Sequence, residues 1–460
     1  MVVENSSVEY ITKVLQVQRN YFRGGATLDV EYRRKMLQRL YDGVCKWERL
    51  LTDALWQDLH KSYEEAYLTE ISIILGEIRN HLKHLSEWSA PKRYATPLKL
   101  FPSRSCVISE PLGAALIIAP WNYPVQLLLN PLVGAISAGC TAVLKPSPYT
   151  PNVAYVLEQL IDEVFEERYV AVVQGNREVN QILLEQRWDI IFFTGSPTLG
   201  RKVMAAAAKN LTPVVLELGG KSPCIVDKDA DIKRAAKRIA WGKLLNAGQT
   251  CIAPDYLLVH KDFKEGFAKE LHTQFASLLG RKPKKNKHFV RIVNDKAFER
   301  LVGYLKCGTI IFGGECDAEE RYIEPTLLDN VSPDSPVMQE EIFGPIFPML
   351  TFDTTEEAIS FVNEREKPLA LYYFGSKAKG ESVLARTSSG GACINDVIMH
   401  ISNEALPFGG VGNSGMGSYH GKRSFDTFSH QKAVVATSTK VDTPFRYMPY
   451  RLFSLIKRLL

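Results

Sequence analysis

GAALIIAPWNYPVQLLLNPLVGAISAGCTAVLK, residues 113–145, is the stretch whose reading decides the fold. Gly113 to Ala119 is an unbroken apolar run, bounded by Gly and Pro and too short for a helix, so it reads as a strand buried on both faces. Pro124 to Ala138 then reads as a helix, with Pro tolerated at its start. Thr141 to Leu144 is a second apolar strand. Strand, helix, strand in this order is the unit of a parallel sheet.

The alternation continues outward. Asn152 to Glu167 reads as a helix, Tyr169 to Val173 as a strand, Glu178 to Gln186 as a helix and Asp189 to Phe193 as a strand. Leu199 to Lys209 and Pro213 to Leu216 add one more helix and strand. Right-handed crossovers place the strand carboxyl ends along one edge, and ligands of open α/β sheets bind there. Those ends carry Trp121-Asn122, Lys145, Gln174-Gly175, Thr194-Gly195-Ser196 and Glu217-Leu218-Gly219-Gly220. An amide, a lysine, a carboxylate and several glycines along one crevice suit a phosphate-bearing cofactor. The turn from Gly195 to Gly200 precedes a helix whose free N–H groups suit a pyrophosphate. It lacks the Gly-x-Gly-x-x-Gly spacing, however, so by itself it is a weak dinucleotide signature and reads by default as a plain strand-to-helix turn.

Beyond Gly220 a second α/β unit follows: Cys224 to Val226 as a strand, Asp231 to Leu245 as a helix, Tyr256 to Val259 as a strand, and further alternation to about residue 395. Between that helix and strand lies Asn246-Ala247-Gly248-Gln249-Thr250-Cys251. Gly248 lets the backbone turn there, so a cysteine after it can be aimed into a cleft. A lone cysteine is as a rule a packing residue, so Cys251 carries no chemistry by itself.

Upstream, residues 7–90 read as amphipathic helices. Val8, Ile11, Val14 and Leu15 begin one that Gly24-Gly25 ends; Met36, Leu37, Leu40, Tyr41 and Val44 mark a second, and Ile71, Ile74, Leu75 and Ile78 a third. Pro91, Pro97 and Pro102 break the pattern and predict an extended arm over residues 91–110, suited to meeting another subunit.

Composition narrows the function. The chain has 460 residues, 45% of them apolar and 23% charged, which allows two or three domains. A net charge of +5 is small for this length and gives no argument for nucleic acid. The basic run Arg281 to Lys287 has no interleaved aromatics and reads as a solvated loop. The eight cysteines form no Cys-x-x-Cys pair and no histidines cluster at ligand spacing, so neither a metal site nor a disulfide framework is expected. No secretory leader and no membrane-length apolar run is visible, and a reducing, cytoplasmic setting is expected.

Taken together, these motifs resemble the aldehyde dehydrogenase superfamily, and within it the class 3 branch that includes fatty aldehyde dehydrogenases. The matching segments are Pro120 to Pro124, Lys145 to Ser147, Phe193 to Ser196, Leu216 to Lys221, Gly248 to Cys251, Glu340-Glu341-Ile342-Phe343-Gly344-Pro345 and the glycine-dense Pro407 to Gly417, in the family's order. The resemblance extends to Asn395 to His400.

The resemblance implies an α/β chain with a Rossmann-like parallel-sheet cofactor domain over residues 1–88 and 114–217 and a second α/β catalytic domain over 218–418. A small β oligomerisation arm at 89–113 and 419–448 and an amphipathic tail at 449–460 complete the expectation. It implies oxidation of aldehydes, medium- or long-chain aliphatic or aromatic, with NAD or NADP. Cys251 is implied as nucleophile, Asn122 as oxyanion donor together with the Cys251 N–H, and Glu217 as the base that activates water. Lys145 and Glu341 match residues that hold the nicotinamide-side ribose, Phe343 the aromatic beside it, and Gly195, Ser196 and Gly200 the pyrophosphate turn. Trp121 and Leu218 complete the cofactor contacts. A homodimer is implied as well.

One departure stands at Pro148, where many NAD-preferring relatives carry an acid that repels a 2′-phosphate; both cofactors are therefore expected to work. In the tail, Leu452, Leu455, Ile456, Leu459 and Leu460 fall at helical spacing, suited to gating a long-chain substrate, touching a membrane surface or packing on a partner. Two rival activities remain open: a CoA-acylating dehydrogenase, and a Cys-dependent hydrolase, which would need a histidine partner.

Overall fold

The computed structural model describes residues 3–443, 446–450, 453, 454 and 457. Arg451, Leu452, Leu455, Ile456, Arg458, Leu459 and Leu460, and with them the helical pattern expected of the tail, lie outside the described residues.

Two sheets organise the chain. The first runs in the order Gly415–Met416, Val214–Leu218, Ile190–Gly195, Ala114–Ile118, Thr141–Lys145, Val170–Val172. All its pairings are parallel except that of Gly415–Met416 with Val214–Leu218. The unbroken apolar run that opened the sequence is explained by burial on two sides. Ala115 and Ile117 enter one core cluster, under the helices Val30–Leu59, Ser72–Ser89 and Gln126–Ala138. Ala114, Leu116 and Ile118 enter another, with Ile11, Val14 and Leu15 of the helix Val8–Arg23. The side-chain period of two therefore sends alternate residues into different cores, and no polar position is left between them.

The second sheet runs Thr309–Phe312, Thr326–Asp329, Ile346–Phe352, Tyr256–His260, Pro223–Val226, Ala370–Phe374, Gly391–Ile394. It is parallel except at its Thr309–Phe312 edge. The α/β architecture expected from the sequence is present in both sheets. A third, antiparallel sheet joins Lys92–Tyr94, Ser103–Pro111 and Ser429–Thr437. Its Lys92–Tyr94 edge is wholly exposed.

Two features of the tertiary structure differ from the linear reading. The glycine-dense loop does not stay with the second sheet: Gly415 pairs with Glu217, so this loop closes the free edge of the first sheet beside that carboxylate. The third N-terminal helix is also not continuous. Tyr63–Ala66 is followed by a π turn at Tyr67–Ile71 before Ser72–Ser89 begins. The wider turn changes which residues face inward. Glu70 is turned into the interior, while Glu65, Leu68 and Thr69 line a cavity.

Candidate active site

Cys251 is half-buried and lines a cavity of about 520 Å³. The walls are mainly apolar, with Leu68, Leu127, Trp241, Ile252, Ile398 and Phe408 among them, and Glu65, Tyr123, Gln126 and Tyr419 add polar groups. The loop that presents the thiol is bent by three consecutive residues of positive φ: Asn246 at 51°, Ala247 at 52° and Gly248 at 75°. At Gly248 a side chain would also collide with the carbonyl oxygen of Gly344. Left-handed backbone at non-glycine residues persists only where surroundings enforce it. Here the Asn246 N–H donates to Glu65 Oε1 at 2.7 Å, and Gln249 Nε2 donates to the carbonyls of Asn246 and Arg291 at 3.1 Å each.

Asn122, just past the strand Ala114–Ile118, is buried, and its Nδ2 donates to the Gln249 carbonyl at 3.0 Å. An amide nitrogen carries two N–H groups, so one remains available. Glu217 is buried in the strand Val214–Leu218, and neither carboxylate oxygen has a hydrogen-bond partner among the described residues. Burial alone drives its pKa well above the carboxylate range. The Cys251 thiol is also pushed up, first by burial and then by the charges of Glu341 and Glu217. Both carboxylates therefore act on the sulfur.

Glu341 comes from the other sheet's side. Asp255 accepts from the Ile342 N–H at 2.8 Å, and Arg300 donates to the carbonyls of Glu341 at 3.2 Å and Ile342 at 2.7 Å. A Cβ on Gly219 would occupy the position of Glu341 Oε2, so the glycine permits the carboxylate's approach. Burial and the charge of Asp255 raise Glu341 to about 8, against the pull of the Gly220 N–H. Its Oε1 is buried without a partner among the described residues. Trp121 and Phe343 meet edge to face, 5.4 Å between centroids.

Lys145 ends its strand almost completely buried. Its Nζ donates to the Pro146 carbonyl at 2.7 Å, and burial lowers its pKa to about 8. Ser196 caps the helix Pro197–Ala208 by accepting from the Leu199 N–H at 3.4 Å. Gly195 ends the strand before it. Gly200 lies inside the helix, where a Cβ would meet Leu218 Cδ2 at 2.7 Å, so these two residues let helix and strand pack closely.

A model described as the aldehyde dehydrogenase family matches residues 1–434. The chain belongs to that family. It is 48% identical over 434 residues to the 4,4'-diaponeurosporen-aldehyde dehydrogenase of Staphylococcus aureus (strain NCTC 8325 / PS 47), an alignment covering 94% of this chain and 95% of that protein. It is 44% identical over 421 residues to the dimeric NADP-preferring aldehyde dehydrogenase of Canis lupus familiaris, covering 91% and 93%. A solved structure described as the substrate-bound state of Staphylococcus aureus AldH superposes with a TM-score of 0.96 at 46% identity, covering 98% of this chain and 99% of that one. This aldehyde dehydrogenase groups with the class 3 branch, and it oxidises aldehydes to acids with NAD or NADP.

The structure brings Cys251, Asn122, Glu217 and Glu341 into one neighbourhood, with Trp121 and Phe343 paired beside them. Sequence reading missed the partners of Asn122 and of the nucleophile loop. Lys61 and Glu70 are buried polar residues outside any motif. Asn246 stood inside a motif, and its tolerance of left-handed backbone was the available signal. Glu65, Gln126 and Tyr419 carried no local sign that they would line the cavity beside Cys251.

Proposed function

We propose that this aldehyde dehydrogenase oxidises medium- and long-chain aliphatic or aromatic aldehydes, with Cys251 as nucleophile, Asn122 as oxyanion donor and Glu217 as hydrolytic base. The observation that carries this reading is Cys251 lining an apolar cavity, with a buried Glu217 carboxylate acting on its thiol, unpartnered among the described residues, and an Asn122 amide that keeps one N–H free. A cavity of about 520 Å³ suits an apolar aldehyde. One relative is named for 4,4'-diaponeurosporen-aldehyde.

The thiol attacks the aldehyde carbon as thiolate, the reactive form. Its proton leaves toward the carboxylates that act on the sulfur, whose own raised pKa values fit them to accept it. The oxyanion of the tetrahedral adduct takes the spare Asn122 N–H and the Cys251 backbone N–H; loss of one such donor costs about 2.7–4 kcal/mol. NAD or NADP, when bound, would supply the acceptor for the hydride lost from the adduct carbon, and Cys251 would be left carrying the acyl group as a thioester. Glu217 then takes a proton from water as the water attacks the thioester carbon, and the acid leaves with the thiol restored.

The residues present fit a dinucleotide. Lys145 keeps two donors beyond its bond to Pro146, and Glu341 Oε1 and Thr194 Oγ1 are buried and unpartnered among the described residues. Lys145 and Glu341 would hold the nicotinamide-side ribose and Trp121 and Phe343 would flank it. Gly195 and Ser196 would shape the pyrophosphate turn, Gly200 would let the helix after that turn pack close to Leu218, and Leu218 would complete the cofactor contacts. The domain assignment follows: residues 1–88 and 114–217 bind cofactor, 218–418 carry the nucleophile, and the arm at 89–113 and 419–448 joins two subunits. Its exposed Lys92–Tyr94 edge is a template for pairing with a second chain, and one relative is named as dimeric. The exposed free thiols of Cys45 and Cys316 fit a reducing cytoplasm.

The test is aldehyde-dependent formation of reduced nicotinamide, with and without CoA. Cys251→Ala is expected to fall to background, and activity surviving there refutes the mechanism. Glu217→Gln is expected to lose steady-state rate by about 10²-fold or more. The wild-type steady state should climb as pH rises through the raised pKa of Glu217, because the base is ionised only above it, and Glu217→Gln should flatten that rise. Requirement for CoA would favour the acyl-transferring alternative.

A further inference from the structure

The oxyanion donors proposed above belong to two loops far apart in the chain. Asn122 follows the strand Ala114–Ile118, and Cys251 follows the helix Ile232–Leu244. Both donors must reach one oxygen at about 2.7–3.1 Å, so the loops need a common fastening. Asn246 Nδ2 donates to the Asn122 carbonyl at 2.9 Å and to the Gln249 carbonyl at 3.0 Å. The Asn122 side chain donates to that same Gln249 carbonyl at 3.0 Å. The bonds thus close a ring that grips Asn122 by its backbone oxygen and its amide together.

Lys61 takes the remaining lone pair of the Asn122 carbonyl. Its ammonium, fully buried, donates there at 3.0 Å and to Glu70 Oε1 at 2.6 Å, and it lies 4.2 Å from the centroid of the Tyr123 ring. Glu70 Oε2 in turn accepts the N–H groups of Val125 at 2.9 Å and Gln126 at 3.2 Å, tying the pair to the start of the helix that follows. On the other loop, the Asn246 N–H is held by Glu65. Neither Lys61 nor Asn246 lines the aldehyde cavity. A buried ion pair is a weak source of stability compared with apolar packing. What this one supplies is location: the ammonium bonds the Asn122 carbonyl directly, and its partner Glu70 holds the N–H groups of Val125 and Gln126 just beyond it.

We infer that Lys61 and Asn246 are positioning residues that lock the Asn122 amide and the Cys251 loop into one oxyanion hole. This rests on the reading of Asn122 as oxyanion donor. A misplacement of about 1 Å in such a constellation costs on the order of 10²-fold in rate, and either residue's removal frees one side of the ring.

The test is a mutant cycle read as kcat/KM for the aldehyde in the full-length enzyme at saturating cofactor. Lys61→Met combined with Glu70→Gln removes both charges together. Asn246→Gly removes the amide while glycine accepts the φ of 51°, and it serves as the second arm should the first variant fail to fold. In the wild-type background each is expected to lower kcat/KM on the order of 10²-fold. In an Asn122→Ala background each is expected to add less than about 2-fold. General damage to packing would lower both backgrounds alike, and equal losses overturn the inference. So does a brace variant with wild-type kcat/KM beside a severe Asn122→Ala. An Asn122→Ala enzyme that itself retains wild-type kcat/KM removes the oxyanion reading, a failure distinguishable from that of the brace alone.

Discussion

Replacing Lys145 with Met should make the cofactor-free enzyme more stable and the enzyme less able to bind its cofactor. The lysine is 1% exposed and has a single hydrogen-bond acceptor, the Pro146 carbonyl. Burial lowers its pKa from 10.5 to about 8. At about 1.36 kcal/mol per pH unit, this fall of about 2.5 is a destabilisation of about 3 kcal/mol at pH 7, where both folded and unfolded forms carry the charge. Above pH 8 the folded lysine releases its proton while the unfolded one keeps it until about 10.5. The penalty is therefore complete below pH 8 and disappears as pH rises toward 10.5. Methionine keeps the length of the side chain without the charge. With unfolding entropy near 2.1 cal/mol/K per residue, about 3 kcal/mol corresponds to a Tm increase of about 3 °C for this chain. Thermal unfolding of the two proteins without cofactor, from pH 6.5 to 10, measures this directly. Adding NAD or NADP should raise Tm in the wild type and much less in the variant. A variant less stable than wild type at pH 7, or a difference that does not shrink above pH 8, would refute the electrostatic account.

Gly248→Ala should lower stability by about 2–3 kcal/mol through backbone strain and collide with the Gly344 carbonyl. The displaced nucleophile loop should cost on the order of 10²-fold in kcat/KM, and near-wild-type turnover would show that the loop's shape is not essential. At Pro148 no carboxylate is present to repel a 2′-phosphate, so steady-state kinetics should show turnover with both NAD and NADP. Pro148→Glu should then selectively depress the NADP reaction; negligible NADP turnover in the wild type would refute the role assigned to that position.

The parallel sheets were legible in the sequence because burial on two faces demands continuous apolar runs, and Gly113 to Ala119 shows such a run without ambiguity. Cys251, Asn122 and Glu217 were legible for a different reason. Reactive groups at strand ends and tight loops sit among glycines and prolines that local backbone geometry requires, and the resulting motifs resemble a family. The comparisons with known proteins establish that family, while the roles of the individual residues rest on the site's geometry.

Other features depended on contacts between segments far apart. Nothing near Lys61 or Glu70 indicates that a π turn will bury them against Asn122, because a buried ion pair looks like two surface charges until the fold is complete. Gly415 belongs to the glycine-dense loop by sequence, yet it pairs with Glu217 and closes the first sheet. The raised pKa values of Glu217 and Glu341 arise from burial, a property of the assembled molecule. The sequence by itself determined the strand–helix alternation, which follows from local periodicity, and marked out candidate residues for the chemistry, through motifs that resemble a family. Tertiary structure alone decided how those residues are held and charged, since distances between loops and exclusion of water exist only once both sheets are packed.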